Sequence, residues 1–322
     1  MKYPSDLSHG IMFHHFHGNG HPVGQGSISA DELESVLRFI GPERVLDPDE
    51  WLNRQAAGKL ERGHVCLTFD DGLLCHIEVA LPVLERVGLR AFWFVYSSVF
   101  EGGIGKFEMH RAFRTRYFSN VDEFYGRFFD AVHRADFDAR VDAAVTESEI
   151  VRRKEVFPFY STNDIRFRLV RDTVLSSNEF DAVMQELMMD AGVEVDSLLQ
   201  GLWMSDEHLT YLSARGHMVG LHSYSHPMVL ANLPVDQQRQ EYERNYSHLQ
   251  RVCGRPPVAM AHPVDSYDGD TLEILAGLGV RCGFRSNMAG PRSSSRPHWR
   301  FEMPRRDHAA IIKMLSANGV KE

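Results

Sequence analysis

Four sets of polar residues sit just past the ends of apolar runs. Asp70 and Asp71 follow His64–Phe69, His222 and His226 follow His217–Leu221, His262 follows Val258–Ala261, and His14 follows Gly10–Phe13. Two imidazoles four residues apart can bind one ion, and Gly220 and Pro227 around this pair favour a loop over a helix. Two adjacent carboxylates at the end of a dry strand are costly to bury unless paired or metal-bound. Together Asp70, Asp71, His222 and His226 make a two-His, one-carboxylate set with a spare carboxylate, which suits metal-assisted hydrolysis. Amide hydrolysis needs, besides an activated water, an oxyanion stabiliser and an acid for the leaving amine.

The elements that must position these groups follow a βα rhythm. Gly10–Phe13, His64–Phe69, Ala91–Tyr96, His217–Leu221, Val258–Ala261 and Val280–Phe284 read as strands. Helical spacing marks Ser29–Ile40, where Ser29 and Glu32 form a capping pattern. The same spacing runs through Ile77, Leu81 and Leu84, and marks Ser205–Arg215, Asp236–Val252, Gly269–Leu278 and Asp307–Ser316. Strands alternating with helices predict a parallel α/β architecture. In such folds the βα loops converge at the C-terminal edge of the sheet, where all four polar sets fall. The rhythm breaks between residues 103 and 203. That stretch, richer in charges and Phe, predicts an inserted, mainly helical subdomain with helices over Val121–Val132 and Asn178–Ala191.

Composition narrows the function classes. The 322 residues carry 35 Lys+Arg against 44 Asp+Glu, a formal charge of −9, which argues against a broad nucleic-acid surface. Cys66, Cys75, Cys253 and Cys282 form no CxxC pair and read as buried thiols. No apolar run approaches the roughly 20 residues of a transmembrane helix, and no signal-peptide pattern opens the chain, so a cytoplasmic location is the expectation. The surplus of 17 histidines points toward metal.

The motifs carry a resemblance. Leu67-Thr68-Phe69-Asp70-Asp71-Gly72 resembles the first motif of the polysaccharide deacetylases, the NodB-homology or carbohydrate esterase family 4 group. Gly216–Pro227, with His222-Ser223-Tyr224-Ser225-His226, is similar to the second motif, and Ala261-His262-Pro263-Val264-Asp265 to a diverged third. The resemblance implies a deformed (β/α) barrel of the NodB type. It also implies a divalent metal, zinc first among transition metals, and hydrolysis of an N-acetyl group on a sugar or glycan precursor, free or nucleotide- or lipid-linked. On its motifs Asp71, His222 and His226 are the metal ligands, Asp70 is the general base, and the Val264 backbone N–H is the oxyanion donor.

Three departures stand out. Many members hold the base with an Arg in the third motif, a position occupied here by Ala261. No late Leu-x-His motif supplies the acid; Met12-Phe13-His14 resembles a branch that moves this histidine to the N-terminus, making His14 the candidate ahead of His15 and His308. His262 replaces an aromatic, and either lines the substrate cleft or packs. Arg111, Arg114 and Arg116 either form a solvated face or meet a phosphate on the substrate. The insertion reads as a lid or an oligomer contact. Two competing functions are another non-peptide C–N hydrolase on the same fold and a non-catalytic glycan-binding relic.

Overall fold

Short, dry runs with period-two alternation build the sheet. In the computed structural model, which describes residues 3–4, 6–156 and 160–317, seven strands run parallel. They are β1 (His9–Phe13), β2 (Val65–Asp70), β3 (Phe92–Val95), β4 (Met218–Leu221), β5 (Ala259–Ala261), β6 (Cys282–Phe284) and β7 (Arg305–Asp307), in the order β6-β5-β4-β3-β2-β1-β7. The segment leading into β7 nearly closes this sheet into a barrel. Met303 donates to the Gly283 carbonyl and accepts from the Arg285 N–H, both at 2.9 Å, while the Gly10 N–H on β1 donates to Pro304.

The chain divides into two units, Met1–Gly105 with Gly201–Glu322, and Lys106–Gln200. In the barrel unit the helices that precede the second unit are α1 (Ala30–Ile40), α2 (Pro48–Ala56) and α3 (Leu81–Val87). The second unit is helical, with α4 (Lys106–Tyr117), α5 (Val121–Arg134), α6 (Asp138–Ala144), α7 (Glu147–Val156), α8 (Thr162–Leu169), α9 (Ser177–Asp190) and α10 (Val195–Leu199). The barrel unit resumes with α11 (Asp206–Ala214), α12 (Val235–Cys253), α13 (Gly269–Gly277) and α14 (His308–Ala317). No described helix is long and apolar enough to cross a membrane.

Alternation sorts the core into two layers. Leu67, Phe69, Trp93, Val95, Leu221 and Met260 pack with the apolar stripes of the outer helices, among them Leu33, Val36 and Leu37 of α1. Cys66, Phe92, Phe94, Met218, Ala261 and Phe284 form the other layer, inside the barrel, together with Trp51 and Leu52 of α2. Leu46, just before α2, donates to the Val65 carbonyl at the start of β2 (2.8 Å), so α2 plugs the end where strands begin. The opposite end is left for chemistry.

The six strands read from the sequence are present with ends within about two residues. β7 is not among them: its Arg-Arg-Asp run has no apolar signal, and α14 begins at His308 immediately after it. α2 was likewise not singled out. The helix expected through Ile77 and Leu81 opens as a wider π turn over His76–Ala80, just before Pro82, which has no N–H to donate.

Candidate metal centre

Asp70 is the last residue of β2 and belongs to the inward series of Cys66 and Thr68. The chain then turns sharply, with Asp71 at φ 79° and Gly72 at φ 70°. A positive φ at a non-glycine residue costs on the order of 1 kcal/mol or more and is found where surroundings over-determine it. This turn sends two consecutive carboxylates to different partners.

Asp71 meets the histidines of the β4 loop. Its Oδ1 lies 3.4 Å from His222 Nε2 and 3.5 Å from His226 Nε2. All three residues offer ligand atoms within 4.8 Å of one another, and no other such group occurs among the described residues. The loop reaches this shape through Ser223 at φ 63° and His226 at φ 56°. α12 anchors it from behind. Buried Asn245 accepts from the His222 N–H (3.0 Å) and donates to the Val95 carbonyl (2.9 Å). One turn earlier, Glu241 accepts from the N–H groups of Tyr224 and Ser225.

The donor set fits a divalent cation. His222 Nδ1 donates to the Ala261 carbonyl at 2.8 Å, which places the lone pair on Nε2, facing Asp71. Asp71 Oδ1 is buried and makes no well-formed hydrogen bond among the described residues. Electron-rich atoms turned on one another in this way repel unless a proton or a metal cation lies among them. Accordingly, although burial lowers the His222 imidazole, the two carboxylates raise it above its ordinary value. Two donors each 2.0–2.1 Å from a tetrahedral zinc ion stand roughly 3.3–3.4 Å apart, close to the spacing seen here. Burial pushes the Asp71 carboxyl up, but His222, His226 and His14 pull it well below the usual range, so it stays ionised.

Asp70 has a different partner, one missed in the sequence. Arg305 of β7 donates from Nη1 to Asp70 Oδ1 at 2.6 Å, with the two side chains 1% and 2% exposed. Its Nε donates to the Arg285 carbonyl at 2.7 Å and its Nη1 also reaches Thr68 Oγ1 at 3.2 Å. Gly10 makes room for the stem, since a Cβ there would stand 2.9 Å from Arg305 Cγ. The arginine absent from position 261 is therefore supplied from a strand on the other side of β1. Burial raises the Asp70 carboxyl, and Arg305, His222 and His14 together bring it below its ordinary value.

The remaining candidates separate clearly. His14 Nε2 is 3.8 Å from Asp70 Oδ2, with its side chain 31% exposed, so it stands beside the proposed base. Buried His76 donates to the His14 carbonyl and holds that turn. The His15 ring lies parallel to that of His14 at 6.3 Å. His308 is buried against Phe13, its ring nitrogens facing the Met12 and Gly26 carbonyls at 3.2 and 3.0 Å. The cleft role considered for His262 is corrected: it is 1% exposed, donates to the Phe301 carbonyl and stacks on Tyr267 at 4.0 Å. It packs. Val264 sits at φ 47°, which is rare for a β-branched residue. Asp265 accepts from Ser286, Asn287 and Arg292, fastening this turn from below.

The profile of the polysaccharide deacetylase family matches residues 178–283, a span that includes His222, His226 and Val264. Over that third of the chain the sequence is similar to the polysaccharide deacetylases. Solved structures share the fold across nearly the whole length. A Streptococcus pyogenes deacetylase, PplD, solved with acetate, matches with TM-score 0.54 and 15% identity over 94% of this chain and 93% of that one. IcaB from Ammonifex degensii matches with TM-score 0.53 and 16% identity over 98% of both chains. A de-N-acetylase from Aggregatibacter actinomycetemcomitans matches with TM-score 0.53 and 13% identity over 93% and 94%. No curated protein matched the sequence. The NodB-type (β/α) barrel expected from the motifs is the observed fold.

Proposed function

We propose that this chain is a metal-dependent hydrolase that removes the N-acetyl group from an acetylated sugar or glycan precursor. The observation that carries the reading is the juxtaposition of Asp71, His222 and His226 with an ionised Asp70 pinned by Arg305. A divalent ion held by these three residues, zinc being suited to the N,N,O set, supplies Lewis acidity to the acyl oxygen and acidifies water. Arg305 occupies Asp70 Oδ1 and leaves Oδ2 on the side of His14, so Oδ2 takes the proton of the attacking water. His14, in its protonated form, gives a proton to the departing amine. The Val264 N–H, held in its unusual turn by Asp265, is the donor for the developing oxyanion. The likeness to the polysaccharide deacetylases supports an acetylated carbohydrate as the substrate class.

The test is acetate release by zinc-loaded protein from free, nucleotide-linked and oligomeric N-acetyl sugars. Asp70→Asn is expected to lower turnover about 10²–10⁴-fold with the zinc content unchanged. Zinc-loaded protein that releases no acetate across the panel, or an Asp70→Asn variant that keeps full activity, rejects this assignment.

A further inference from the structure

The helical unit holds a recess whose lining is unusual for a helical core. Along α4, Phe107, His110, Arg111 and Arg114 recur at i, i+3, i+4 and i+7, the spacing of an inward stripe, yet two of the four are arginines. Facing them are Phe167 and Arg168 of α8, then Arg171 in the turn that follows. The recess also touches Phe124 of α5 and Phe180 of α9. Its volume is about 70 Å³.

The charges in this recess are incompletely matched. Arg171 pairs with Asp172, and Arg168 lies 3.8 Å from Asp164, whose carboxylate already accepts from Tyr125. The Arg168 Nε is buried with no hydrogen-bond partner among the described residues. Arg114 has no carboxylate within ion-pair distance among the described residues. Its guanidinium lies instead against the rings of Phe124 and Phe167, at 5.8 and 6.0 Å from their centroids. Burial, and then Arg111, pull Arg114 down to about 10, which still leaves it charged at neutral pH. A largely buried cation that faces ring walls and has only the more distant Asp164 charge in its favour is stabilised when an anion joins it. Arg116, read from the sequence as one of the same group, is not part of it: it donates to the Ser197, Leu198 and Gln200 carbonyls.

We infer that this recess is an anion site for a phosphoryl group, held by Arg114 and Arg168 between phenylalanine walls. The recess has room for a tetrahedral oxyanion. Guanidinium forks match phosphoryl oxygens in geometry as well as charge. The phenylalanines lower the local dielectric and strengthen that attraction. The inference is independent of the deacetylase reading.

The test uses the whole chain, stripped of metal so that phosphate does not report on the Asp71–His222–His226 cluster. Calorimetric titration and thermal unfolding are run with inorganic phosphate, phenyl phosphate and acetate at matched ionic strength. Phosphate is expected to bind with a Kd below about 1 mM and to raise Tm, with acetate giving no comparable rise. Arg114→Gln and Arg168→Gln are each expected to weaken phosphate binding at least about tenfold. Arg114→Gln should unfold no lower than the parent in phosphate-free buffer, since it removes an unmatched charge. Tighter binding of phenyl phosphate identifies a monoester as the ligand and equal binding the free ion; both sustain the inference. It is overturned by a parent chain with no phosphate response, by an equal response to acetate, by an undiminished response in either variant, or by failure of Arg114→Gln to fold.

Discussion

Replacing Arg305 with methionine removes the guanidinium while keeping an apolar stem of similar reach. In the parent, Arg305 and Asp70 are 1% and 2% exposed and meet at 2.6 Å, so neither charge has water to fall back on. Removing one member of a buried pair costs about 3–5 kcal/mol, because the other is left uncompensated. The Arg285 carbonyl also loses its bond from Nε, worth about another 1 kcal/mol. Against a total stability of about 5–15 kcal/mol, such a loss is large and shows as a lowered urea midpoint at unchanged slope. Asp70→Asn alone should also destabilise, by stranding Arg305. The double variant should then lose less than the sum of the singles, by about 2 kcal/mol or more. Acetate release by Arg305→Met should fall about 10²–10⁴-fold, the usual contribution of a positioned base, with metal content unchanged. An Arg305→Met midpoint matching the parent, or strictly additive losses in the double variant, refutes the coupling. Full activity in Arg305→Met refutes the role of Arg305 in positioning the base.

Two further outcomes test the same framework. Gly10→Ala places a Cβ 2.9 Å from Arg305 Cγ and 3.3 Å from Thr68 Cγ2, so it should destabilise by about 1–3 kcal/mol and reduce acetate release, measured by urea unfolding and turnover; a silent substitution contradicts the close approach. Buried His9, His110 and His217 are each pushed down to about 4 from 6.5, chiefly by burial, so their contribution is fully present above pH 6.5 and is lost as pH falls toward 4, where the unfolded chain binds protons the folded chain refuses. Each shift corresponds to about 2 kcal/mol lost by a pH of about 5, and His110→Phe, which keeps the contact with Phe180, should recover about that much of the acid loss in urea titrations; an unchanged pH slope in that variant argues against a neutral buried His110.

The residues proposed to carry the chemistry were legible because their placement depends on local order. A strand running into Asp70-Asp71-Gly72 needs only its own alternation to place one carboxylate inward and turn the next away. His222 and His226 need only a short loop with two positive-φ residues to face one point. The barrel rhythm was readable for the same reason, since six of its strands are apolar runs with turn signals at their ends.

The supports of the site lie beyond local reading. Arg305 stands 235 residues from Asp70 in a strand with no apolar signal, and what makes it a strand is its pairing with β1. Asn245 looks like any polar residue on a long polar helix until the helix packs and buries it against the His222 N–H and the Val95 carbonyl. His262 reads from the sequence as either a cleft or a packing residue, and the Phe301 carbonyl and Tyr267, which close over it, decide for packing. The sequence by itself determined which carboxylates and imidazoles converge at the end of the sheet, through alternation and turn geometry within a few residues. Only the tertiary structure decided which distant groups hold them there, because burial assigns partners to charges irrespective of distance along the chain.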